Sequence, residues 1–148
     1  MATIRHEIEI AAPAAEVWDA ARDVSALHTR LVPGFAIATE MLPDTAVPTR
    51  RVTFASGVVL DEKIIAVSDE LRRLVWGIQS VEHHNGALEI VEAGDGARVV
   101  WTADVLPAEL AARFSPLMVD ALRIMKRTLE SDARSNGRSM GDAPHRPV

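Results

Sequence analysis

Arg50-Arg51-Val52-Thr53-Phe54-Ala55-Ser56-Gly57-Val58-Val59-Leu60-Asp61-Glu62 is the stretch that decides the fold. Apolar and polar residues alternate on both sides of Ser56-Gly57, the period of two expected of strands buried on one face. A three-residue loop ending in glycine suits a type I turn followed by a left-handed residue. Only glycine adopts that conformation without steric cost. The resulting register sets Phe54 opposite Val58, Val52 opposite Leu60 and Arg50 opposite Glu62. Arg50, Val52 and Phe54 then share a face with Leu60, Glu62 and Ile64, and Arg51, Thr53, Asp61 and Lys63 take the other. Two opposite charges therefore meet on the apolar side, where a charge is costly unless paired. They read either as a polar anchor inside a cavity or as a wet sheet end whose charges only meet each other.

The same alternation continues outward. Ile4, His6, Ile8 and Ile10 oppose Arg5, Glu7 and Glu9 in a first strand, with His6 on its apolar face. Ala12-Pro13 opens a helix carrying Val17, Ala20, Ala21 and Val24. A second short helix carries Leu27, Leu31 and Val32 and ends at Pro33-Gly34. Strands are predicted near 35–42, 48–55, 58–67, 71–80, 84–93 and 97–106, punctuated by turn signals such as Ser68-Asp69, Asn85-Gly86 and Gly94-Asp95-Gly96. After Pro107 an amphipathic helix runs to about Ala133, with Phe114, Met118, Leu122, Met125 and Leu129 on its apolar stripe. Pro116 should kink it, or Ser115 caps a fresh start there. Residues 135–148 lack periodicity and read as a flexible tail, leaving 1–134 as a single domain.

Strands joined by short turns pair antiparallel. The order of one strand, two short helices, six strands and one long helix is an α+β architecture whose curved sheet wraps the last helix. Parity places Phe35, Ile37 and Met41, then Leu74, Trp76 and Ile78, then Leu88 and Ile90, then Val99, Trp101, Ala103 and Val105 on the concave side. Between sheet and helix lies either a ligand cavity, with Met118 and Met125 as adaptable wall residues, or a solid core.

Composition narrows the chemistry. The chain has 148 residues, no Cys, no Tyr, three Trp and five Met, and its net charge is −5. The lack of Cys excludes disulfides, thiolate catalysis and thiolate metal sites. The acidic balance disfavours nucleic acid. There is no membrane-length apolar run and no signal-peptide pattern, so the chain reads as cytoplasmic without membrane insertion. No phosphate loop, nucleophile elbow or clustered metal-ligand spacing occurs, and neither metal nor cofactor is expected. Candidate polar groups are few. Glu62 and His84 are the acid/base candidates and Arg50 could hold an oxyanion or carboxylate. His6, on a core face, reads more as a packed histidine than as a catalyst. Of the pair His83-His84, parity with Leu88 sends only His84 inward, unless both sit in a solvated loop.

Three motifs then carry a resemblance: Ile10-Ala11-Ala12-Pro13 with Val17-Trp18 and Asp23; Arg50 through Gly57 leading into Glu62; and Val100-Trp101-Thr102-Ala103-Asp104-Val105-Leu106-Pro107 before the long helix. In this order, over residues 3–131, the chain resembles the SRPBCC superfamily (START-related, birch-pollen-allergen-like, helix-grip), in particular its polyketide cyclase/dehydrase branch. The resemblance implies a seven-stranded antiparallel sheet gripping the C-terminal helix, with a ligand cavity between them and Glu62 in its wall. Many relatives carry Trp in the second short helix, where this chain has Leu27-His28. The expected function is binding of a small hydrophobic ligand with one polar or anionic group. Its expected lining is Arg50, Val52, Phe54, Leu60, Glu62, Trp76, Ile78, Leu88, Trp101, Met118, Leu122 and Met125. A cyclase/aromatase- or dehydratase-like enzyme is the alternative, and a protein-interaction domain, with a possible homodimer, is the third.

Overall fold

The computed structural model describes residues 2–142, with side chains described through Gly137. Seven strands form one antiparallel sheet: β1 (Ala2–Ile10), β2 (Ala36–Met41), β3 (Thr49–Phe54), β4 (Val59–Ser68), β5 (Arg73–Ile78), β6 (His83–Ala93) and β7 (Gly96–Leu106), in the order β1-β7-β6-β5-β4-β3-β2. Helix α1 (Ala14–Arg22), a 3-10 turn (Val24–Ala26) and a π-helical turn (Leu27–Leu31) carry the chain from β1 to the far edge at β2. From there β2 to β7 meander back to pair with β1, and α2 (Leu110–Asp142) follows. This is the expected α+β helix-grip fold.

The decisive hairpin has the expected register. Arg50 pairs with Glu62 and Val52 with Leu60. The turn closes through Phe54 N–H to Val58 O and Gly57 N–H to Phe54 O, both 2.9 Å, with Gly57 at φ 92°. Helix α1 begins after Pro13, which lacks an N–H to leave unpaired. It is tied to the β4–β5 turn by Trp18 Nε1 and Arg22 Nε, which both donate to Asp69 Oδ1, at 2.9 and 2.8 Å.

The backbone of α2 runs closest to β1, β7 and the π-helical turn. Its outer face is clipped to the end of β1: Lys126 Nζ donates to Glu9 O at 2.7 Å, and Ala11 N–H donates to Glu130 Oε2 at 2.8 Å. Its inner face buries Ala121, Leu122, Met125 and Leu129 in a large apolar cluster with Val17, Val52, Leu74 and Val99. Met118 joins a smaller cluster with Ile4, Ala103 and Val105, and Trp101 packs against both clusters.

Four expectations need correction. Helix α2 extends to Asp142, well past Ala133, so the segment read as a tail is helical as far as that residue; residues 143–148 lie outside those described. An established helix gains a hydrogen bond with each added residue, which carries it through Gly137 despite that residue's low propensity. Of the two readings at Pro116, the fresh start at Ser115 falls, because Pro116 lies inside one continuous helix. Ile37 does not face the concave side: a bulge between Ala36 and Ala38 breaks the alternation and leaves it 56% exposed. Asn85-Gly86 is no turn, since both residues lie inside β6, opposite Asp104 and Ala103.

Candidate functional site

One cross-strand row on the concave face gathers the polar candidates. Arg50 on β3 pairs with Glu62 on β4, and Glu62 pairs with Ile78 on β5. The Ile78 N–H in turn donates to Nδ1 of His84 on β6, at 3.3 Å. The β-hairpin register places Glu62 and His84 on this row, two strands apart, a spacing of roughly 10 Å.

Arg50 Nε donates to Glu62 Oε1 at 2.8 Å, and the two side chains are only 3% and 6% exposed. Withdrawing two ions from water costs several kcal/mol each, offset only by close pairing and further hydrogen bonds. Arg50 finds such a bond: Nη1 donates to the Val24 carbonyl at 3.0 Å. Its guanidinium carbon also lies 6.0 Å from the centre of the Trp76 ring, within cation–π range. The pair is therefore buried on the concave side, but the element above Arg50 is the 3-10 turn at Val24, not the long helix.

His84 is buried, whereas His83 points to solvent. Burial, reinforced by the nearby His83 charge, pushes the His84 imidazole down to about 4. The geometry agrees, because Nδ1 accepts the Ile78 N–H and so carries no proton of its own. At neutral pH the proton sits on Nε2, and the ring is an uncharged donor. The ring is held by Phe114 of α2, edge-on at 5.8 Å, and by Trp76 at 6.4 Å. Trp76 in turn lies 5.6 Å from Trp101. Trp101 Nε1 is the one buried side-chain nitrogen or oxygen among the described residues with no hydrogen-bond partner.

Each predicted lining residue has a definite place. Val52, Trp76, Leu88, Met118, Leu122 and Met125 are buried, and Phe54, Leu60, Ile78 and Trp101 are half-buried. His6, paired with Trp101 across β1 and β7, is half-buried with Nε2 2.7 Å from Ser115 Oγ, the packed histidine its position suggested. His28 lies 3.0 Å from Thr39 Oγ1, joining the π-helical turn to β2.

Two pockets of about 390 and 400 Å3 open elsewhere: one between α1 and the far end of α2, beside Asp19, Arg30 and Asp132, the other at the β1–β7–β6 rim, beside Thr3, His83 and Asp104. Among the described residues no three His, Asp or Glu side chains gather as a metal site. No helix among them is long and apolar enough to cross a membrane.

Sequence reasoning missed four participants. Val24 contributes a backbone carbonyl, which has no signature in side-chain pattern. Ser115 could have been paired with His6 had the strand and helix faces been aligned. Phe114 was placed on the apolar stripe but not against His84. Gly86 reads as a turn residue, yet its lack of a side chain makes room for Trp76: a Cβ there would lie 3.0 Å from the indole.

The arrangement offers a neutralised ion pair, an uncharged imidazole donor and an unengaged indole N–H among apolar walls. Solved structures of similar fold include a protein from Thermobifida fusca with 30% identity and a TM-score of 0.67, the match covering 93% of this chain and 95% of that one. XoxI from Bacillus cereus has 16% identity and a TM-score of 0.75, with coverage of 87% and 96%. A norcoclaurine synthase point mutant from Thalictrum, solved in complex with a transition-state analogue, has 24% identity and a TM-score of 0.61, with coverage of 88% and 96%. No curated protein matches the sequence. The family described as polyketide cyclase / dehydrase and lipid transport matches residues 1–131, and the chain belongs to that family.

Proposed function

We propose that the chain binds a small hydrophobic molecule bearing one polar group, neutral or anionic, between the concave face of the sheet and α2. The observation that carries this reading is the buried Arg50–Glu62 pair beside Trp76. A buried ion pair stabilises a fold little more than apolar residues of the same volume, so its presence in an otherwise aliphatic and aromatic wall argues for a polar anchor. The occupant would enter by shifting packed side chains. Met118 and Met125 are unbranched and polarizable and repack at low cost. The short turns over Arg50 are the segment that would move with them.

Native mass spectrometry of the purified chain, followed by organic extraction, tests the reading. A retained small apolar molecule, or a raised melting temperature with members of a panel of aryl ketones, phenols and fatty acids, is the expected result. No adduct and no shift across the panel would sink it.

A second reading is a cyclase- or dehydratase-like enzyme, favoured by the placing of Glu62 and His84 on either side of Ile78. Glu62 would take a proton, and His84 Nε2–H would steady the developing enolate oxygen. Under that reading Glu62→Gln abolishes turnover of a bound polyketone while the molecule still binds.

A further inference from the structure

We infer that the molecule held at this site is electrically neutral and presents an oxygen acceptor, as a ketone, quinone or phenol on an apolar skeleton does, and that a carboxylate or sulfonate head group is rejected. This rests on the proposed binding site and narrows it.

The first ground is charge balance. Arg50 and Glu62 face each other at 2.8 Å and cancel. Arg50 already donates through Nε to Glu62 and through Nη1 to Val24, so recruiting it for an anion would break buried bonds. The other charges on the neighbouring strands lie on the convex side, where Arg51 pairs with Asp61, and Lys63 shares that face. On α2, Arg113, Asp120, Arg123 and Arg127 are exposed. Among the described residues an anion would therefore come to rest beside the Glu62 carboxylate with no free cation to meet it, and an uncompensated buried charge is strongly unfavourable.

The second ground is the kind of polar atom left unengaged. Trp101 Nε1–H is buried without an acceptor, an unfavourable condition that a ligand oxygen would relieve. His84, with Nδ1 occupied, presents Nε2–H. Both rings rest against Trp76, at 5.6 and 6.4 Å. Two neutral donors beside aromatic faces suit the oxygen of an uncharged, flat molecule.

Two fluorescent probes with one aminonaphthalene skeleton separate the cases: the neutral ketone 6-propionyl-2-(dimethylamino)naphthalene and the anion 6-(dimethylamino)naphthalene-2-carboxylate. The full chain should bind the neutral probe at least tenfold more tightly. Glu62→Gln, which leaves Arg50 uncompensated, should tighten the anion at least tenfold. If that variant does not fold, the wild-type ratio alone decides. In 15N-correlated spectra the neutral probe should move the Trp101 indole resonance, identified with Trp101→Phe, and leave that of Trp18, which is bonded to Asp69 outside the site. Equal or tighter binding of the anion overturns the inference and leaves the binding-site reading standing. Binding that leaves the Trp101 resonance in place also overturns it. If neither probe binds, both fall.

Discussion

The backbone N–H of Ile78 donates to Nδ1 of His84 across 3.3 Å, and that bond fixes both the tautomer and the charge of the imidazole. Burial works in the same direction and holds the group near 4. In an NMR titration the His84 ring should stay uncharged down to about pH 5. A midpoint above 6 would show that the ring leaves its pocket. Stability carries the same signature. Below an unfolded value of about 6.5 the unfolded chain binds a proton that the folded chain refuses, so stability falls as pH drops from 6.5 towards 4 and levels off beneath that. The full effect is on the order of 3 kcal/mol. Urea titrations across that window should show the slope, and His84→Gln should flatten it.

Glu130 gives a contrasting pH response. The Ala11 N–H, and then Lys126, hold its carboxyl below the usual range. Its contribution is complete above the unfolded value of about 4.5 and is lost as pH falls through the lower folded value. Glu130→Ala should cost about 1–2 kcal/mol at pH 7 by releasing the end of β1 from α2. The difference between variant and parent in thermal melts should shrink below pH 4, where the His84 contribution has already levelled off.

The Arg50–Glu62 pair should resist single changes and tolerate a double one. Arg50→Met leaves Glu62 buried without its cation and frees the Val24 carbonyl, an expected loss of roughly 3–5 kcal/mol. Arg50→Met with Glu62→Leu removes both charges and should recover most of that loss. Chemical denaturation of the two singles and the double measures the coupling. A double variant as unstable as the sum of the singles would contradict the account.

These contacts also show what a linear sequence can carry. The pairing of Arg50 with Glu62 was legible because side chains alternate and the Ser56-Gly57 turn permits one register. His84 was placed inward by the same parity. Ile37 was misplaced because a bulge adds a residue with no marker of its own. The position of the pair beneath Val24 was illegible for another reason: the acceptor is a carbonyl that every residue possesses. Parity says which face a side chain takes but not how tightly that face is filled. Met118, Leu122 and Met125 are buried in the apolar clusters under α2, a degree of filling that alternation along a strand or stripe does not encode.

Gly86 links that packing to the site. It pairs with Trp76 across β5 and β6, and the indole lies over its backbone. A Cβ added there would meet the Trp76 ring at 3.0 Å and the His84 ring at 3.1 Å. Both neighbours are held from behind, Trp76 by Trp101 and Arg50, His84 by Phe114. Neither ring can yield without disturbing the row of polar groups. Alanine is favoured over glycine in a strand interior, so any cost of Gly86→Ala reports this contact and not backbone propensity. The expected loss is about 1–3 kcal/mol in urea denaturation, the usual range for overpacking. The indole shift should also loosen the Ile78–His84 bond and raise the His84 titration midpoint. An alanine variant of unchanged stability and unchanged His84 midpoint would mean that Trp76 is mobile and that the walls of the site are softer than their packing implies.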